Sequence, residues 1–114
     1  VVNLADSIGE INYAIEQIPE SSDSKNRDLK SLFKELTQAI ENETELDDEE
    51  KADAVNKVKT IVQASQNKDD EGLQKKATRA VSLLETLAKG LEPASKLAKA
   101  CGKILPKIIA FLGF

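Results

Sequence analysis

Apolar residues recur at steps of three and four along almost the entire chain, a period that admits helices and leaves no alternating pattern from which strands could be built. Val1, Leu4, Ile8, Ile11, Ile15 and Ile18 make a first stripe, which Pro19 and Ser21-Ser22 bring to an end. Leu29, Leu32, Phe33, Leu36 and Ile40 make a second, with Ser24 as its N-cap and Glu41-Asn42-Glu43-Thr44 as its polar exit. Asp47 followed by Glu50 has capping-box spacing, and Asp48 and Glu49 add negative charge where a helix dipole is positive, so a third helix is predicted to start there. Its stripe is Val55, Val58, Ile61 and Val62, assisted by Ala54 and Ser65, and it fades at Gln66-Asn67. Asp69 or Asp70 caps a fourth helix with the stripe Leu73, Ala77, Ala80, Val81, Leu84, Leu87 and Leu91, broken near Gly90. Pro93 is expected at the first position of a fifth, which continues through Leu97, Ala98, Cys101, Leu105 and Ile108. Pro106 cannot bond the carbonyl of residue 102, and because that residue is Gly the ring clash is softened, so a kink is expected rather than a stop.

These stripes predict an all-α fold: an up-and-down bundle of four to five amphipathic helices of about 16 to 20 residues, joined by short polar turns. Residues 1–114 form one helical-bundle domain, whose last helix either completes the core or docks across one end. Without Met at position 1, either an initiator was removed before Val1 or the chain was cut from a larger protein, and the second is expected.

The composition turns attention away from catalysis. The chain has no His and a single Cys, which removes the commonest general base, the commonest metal ligand and any disulfide within one copy. No catalytic residue, cofactor site or metal site is therefore assigned. The acidic run Glu41, Glu43, Glu45, Asp47, Asp48, Glu49 and Glu50 lacks the central Gly of a calcium loop, since no Gly stands between Gly9 and Gly72, and it reads as a solvated turn with capping acids. Cys101 falls on the apolar side of the fifth helix and reads as a buried thiol with no activating base. Five glycines scattered singly form no phosphate loop.

Charge is distributed unevenly behind the net −4. Residues 1–92 hold 12 basic and 20 acidic side chains, net −8, and the last 22 residues hold four lysines and no acid, net +4. An acidic body with so few lysines argues against nucleic acid as a partner. Residues 93–114 form a basic amphipathic helix: Lys96, Lys99, Lys103 and Lys107, with Lys89, fall within an arc of about 80° opposite Leu97, Cys101, Ile104, Leu105, Ile108, Phe111 and Leu112. From Ile108 to Phe114 the chain is apolar nearly all round, more than one bundle face is expected to bury.

Lys96, Lys99, Lys103, Lys107, Ile104, Ile108, Ile109, Phe111, Leu112 and Phe114 are accordingly the expected contact residues, toward a neighbouring domain, a second copy or an anionic membrane surface. Two functions follow as expectations: a non-enzymatic interaction or effector module of a larger bacterial protein, or a membrane-permeabilising effector whose last helix inserts into anionic bilayers. The first 20 residues contain Asp6, Glu10 and Glu16 and no apolar run, so a cytoplasmic location is expected, with peripheral membrane attachment as the variant.

Gly90-Leu91-Glu92-Pro93-Ala94-Ser95-Lys96-Leu97 and Cys101-Gly102-Lys103-Ile104-Leu105-Pro106, preceded by Leu73 to Leu87, resemble the helical C-terminal tails of cyanobacterial multidomain proteins, including some pentapeptide-repeat proteins. The resemblance covers about residues Val55 to Phe114 and implies a bacterial, intracellular, appended module that acts by association. It carries over no catalytic or binding residue, and residues 1–50 have no part in it.

Overall fold

A computed structural model describes residues 4–18 and 24–112, the side chains of 24–27 excepted. Five helices follow one another: α1 (Leu4–Glu16), α2 (Ser24–Glu41), α3 (Asp48–Gln66), α4 (Glu71–Lys89) and α5 (Lys96–Leu112). Each packs against the next, α3 also against α1, and α5 against α2 as well as α4. The all-α up-and-down bundle is therefore observed, and the last helix completes the core instead of lying across an end.

The apolar stripes are what the bundle buries. Ile11, Ile15, Phe33, Leu36, Ile40, Val55, Val58, Ile61, Leu84, Leu97 and Ile104 are fully excluded from solvent, with Phe33 the bulkiest among them. Fully burying each such side chain contributes about 1.5–3 kcal/mol, and this gain opposes the entropy of ordering the chain. Ala77 and Ala80 line the buried side of α4, where short side chains let it approach α3 closely.

Local signals set the ends. Asp47 Oδ1 accepts from Glu50 N at 2.7 Å and Glu50 Oε1 accepts from Asp47 N at 3.2 Å, a complete capping box at the start of α3. Of the two candidate caps for α4 the structure selects Asp70, whose Oδ1 accepts from Leu73 N at 3.0 Å. The α3 C-terminus is closed from the side: Gln74 Nε2 donates to the carbonyls of Ala64 at 2.9 Å and Asn67 at 3.1 Å.

Three boundaries differ from expectation. α1 has 13 residues and ends at Glu16, because the chain tightens there: Ile18 N donates to Ile15 O at 3.0 Å, yet Ile18 remains buried beyond the helix. Ser24 is the first residue of α2, not its cap. The basic C-terminal helix begins at Lys96, not at residue 93: Pro93 and Ala94 lie in the preceding turn, and Ser95 Oγ accepts from Ala98 N at 3.0 Å. A serine cap satisfies an orphan N–H, whereas proline at a first position only tolerates the loss of one, so the cap wins. Val1, Pro19, Ser21 and Ser22 lie outside the described residues.

α5 continues through Pro106 to Leu112, so the proline interrupts a hydrogen bond without ending the helix. Pro106 is exposed, and Gly102 has no atom within 4 Å of the place a Cβ would take. Replacing Pro106 by Ala is expected to raise stability by about 2 kcal/mol. Proline in a helix interior costs roughly 3 kcal/mol, of which up to about 1 kcal/mol is returned through the stiffer unfolded chain. Urea unfolding checks this, and an unchanged or lower midpoint would contradict it.

Candidate interaction surface

α5 divides sharply by depth. Leu97, Cys101, Ile104, Leu105 and Ile108 are buried against α2 and α4, while Lys96, Lys99, Lys103 and Lys107 are exposed. Of the ten expected contact residues, Ile104 and Ile108 are therefore core: both have no solvent exposure and anchor the helix. Ile109, Phe111 and Leu112 are half-buried on the edge of the core, and Phe114 lies outside the described residues. The bundle thus covers more of the apolar end than one helix face was expected to cover.

Two neighbours do this covering. Lys68, in the turn between α3 and α4, places its Nζ 4.4 Å from the centre of the Phe111 ring, an arrangement in which the ring face attracts the ammonium. From α2, Leu29 and Leu32 join Lys68, Lys107 and Phe111 around an open cavity of about 410 Å³, with Asp28 beside them. Along the lysine row, Lys103 Nζ lies 3.5 Å from Glu35 on α2. Among the described residues Lys96, Lys99 and Lys107 have no acidic group within ion-pair distance. Among the described residues, Lys103 is thus the cation of this row that forms an ion pair.

The acidic turn between α2 and α3 is where the structure departs most from the sequence reading. Glu43, expected in a solvated turn, is only 4% exposed. One carboxylate oxygen accepts from Glu45 N at 3.3 Å and the other accepts from Leu97 N at 3.3 Å, a donor in the first turn of α5 that has no partner inside its own helix. Glu45 repeats the connection next door, its Oε2 accepting from Glu92 N at 3.2 Å. Lys51 Nζ donates to the carbonyl of Glu41 at 2.8 Å and closes the end of α2. The acids thus hold the start of the lysine-bearing helix, opposite partial charges meeting at its N-terminus.

α4 adds a feature that a reading from the last acid onward passes over. Lys75, Lys76, Arg79 and Lys89 are exposed on it, and residues 73–114 hold 8 basic and 2 acidic side chains. Counting charge helix by helix, rather than after Glu92, brings this second basic helix into view.

Burial, and secondarily the charge of Glu85, pushes the Cys101 thiol up to about 11, so at neutral pH it stays protonated and unreactive. Among the described residues no group of His, Cys, Asp and Glu is arranged to hold a metal ion, and no helix is long and apolar enough to cross a membrane. Comparison with family models, with curated proteins and with solved structures finds no match. The functional reading therefore rests on the chain's own surface.

Proposed function

We propose that the domain is a non-enzymatic interaction module of a larger bacterial protein and contacts an acidic partner protein through the outer face of α5. The observation that supports this is the division of that helix: five side chains anchor it in the core while Lys96, Lys99, Lys103 and Lys107 stand outward in a row of fixed geometry. Half-buried Ile109, Phe111 and Leu112 supply apolar contact area at one end. The bacterial, appended setting comes from the resemblance of residues 55–114 and rests on sequence alone.

The membrane-active reading makes a different demand on the bundle. Freeing α5 exposes the five anchoring side chains and costs on the order of 10 kcal/mol, comparable with the full stability of such a domain. Lipid would take up the freed apolar side chains and four lysines near an anionic bilayer would add about 4 kcal/mol, so the membrane-active reading differs from the proposed one in requiring the bundle to open.

The test uses the triple variant Lys99→Glu, Lys103→Glu, Lys107→Glu beside the parent domain. Parent protein is expected to retain a partner from bacterial lysate that high salt releases and the variant does not retain, both having the same far-ultraviolet circular dichroism. Neither is expected to release dye from anionic vesicles. Equal retention by both proteins, or leakage caused by the parent, would overturn the proposal.

A further inference from the structure

Charge in this molecule is sorted by helix as well as by end. α1 carries Asp6, Glu10 and Glu16 and no base, and residues 1–72 hold 18 acidic and 8 basic side chains, net −10, against net +6 for residues 73–114. α3 packs on both α1 and α4, and α2 on both α1 and α5, so these two helices stand between the acidic helix and the basic pair.

Among the described residues, the two large apolar side chains left exposed lie one on each of these flanking helices. Tyr13 of α1 is 70% exposed and Leu83 of α4 is 46% exposed. Beside Tyr13 an open groove of about 850 Å³ runs between α1 and α3; Gly9, Ala14 and Val62 form part of its wall, and Asp6 and Glu10 line its α1 side. No atom lies within 4 Å of the position a Cβ on Gly9 would take, so the groove is open there. On α4, Arg79 and Lys76 precede Leu83 by four and seven residues and so share its side of the helix. One surface offers a depression lined by Asp6 and Glu10 on α1 and by Lys59 on α3, and the other an apolar side chain flanked by bases.

We propose that α4 of one copy of this chain docks in the α1–α3 groove of a second copy, Leu83 entering beside Gly9 and Tyr13 while Lys76 and Arg79 meet Asp6 and Glu10. The second copy is selected by charge: the same molecule carries both complementary surfaces, and neither includes a lysine of the α5 row. Because the two surfaces differ, the contact is heterologous, and copies add head to tail instead of closing as a symmetric pair. Glu10 already pairs with Lys59 at 3.3 Å, which leaves Asp6 and the second Glu10 oxygen to meet the incoming cations.

Sedimentation velocity tests this on the chain as given. At low salt the mass is expected to rise above 12.4 kDa with concentration, and at about 1 M salt, where the screening length falls to about 3 Å, to return toward it. Leu83→Asp removes the inserting side chain and Gly9→Leu fills the groove; each alone is expected to stay monomeric. Mixed, they retain one intact contact between them and are expected to give a dimer that grows no further. Arg79→Glu and Asp6→Lys, at exposed positions, serve the same roles if either first variant loses its helical signal. A parent chain that remains at 12.4 kDa throughout, or a mixture that stays monomeric while the parent associates, overturns the proposal.

Discussion

Ile104→Asp is expected to unfold the whole domain, whereas Lys99→Gln, five residues earlier on the same helix, is expected to change its stability by no more than about 0.5 kcal/mol. Ile104 has no solvent exposure and lies in the core that α5 shares with α2 and α4. An aspartate there loses the burial of a large apolar side chain and leaves a carboxylate without water or a cation. Changes of this kind cost more than about 4 kcal/mol, and a domain of this size has roughly 5–15 kcal/mol in total. Far-ultraviolet circular dichroism distinguishes collapse of the bundle from release of one helix: α5 accounts for 17 helical residues, so loss confined to that helix removes only a minor part of the signal. A partial loss would show that α1 to α4 stand without α5, and would favour the membrane-active reading over the one proposed.

The same residue shows why the fold was legible and the site only partly so. Ile104 belongs to a stripe, and a stripe is a property of near neighbours in sequence: each apolar residue three or four positions from the last marks the same side of one helix. The Asp47–Glu50 box is equally local, closed by atoms three residues apart, and it is present as read. Ile104 and Ile108 were nevertheless expected at a contact surface, because an amphipathic pattern does not state whether its apolar side meets a bundle or an outside partner. Lys68 over Phe111 and Gln74 on the α3 carbonyls depend on how helices are arranged, which periodicity does not encode. Pro93 and Ser95 compete two residues apart, and the residue offering an acceptor prevails.

Glu43→Ala is expected to lower stability by about 1–3 kcal/mol, a larger loss than any other single acid of the run from Glu41 to Glu50 should give. Its carboxylate serves two backbone donors, Glu45 N at an exposed residue and the buried Leu97 N, and a buried donor left without a partner costs about 1–3 kcal/mol. Glu49→Ala, exposed in the first turn of α3, should cost about 0.3–1 kcal/mol, the worth of a charge near a helix dipole. Glu43→Gln keeps one carbonyl oxygen in place of two acceptors, so it should fall between parent and Ala. Urea midpoints rank the four proteins, and amide exchange at Leu97 should quicken most in Glu43→Ala. An unchanged midpoint would mean that the Leu97 donor finds another acceptor and that Glu43 is incidental to the start of α5. The expected loss carries a functional consequence. Glu43 joins the α2–α3 turn to a helix whose first residue is 53 positions further on, and that helix carries the lysine row. Loosening this junction should weaken retention of the partner even though Glu43, only 4% exposed, has almost no surface with which to touch it, because the direction of the row is set where the helix begins.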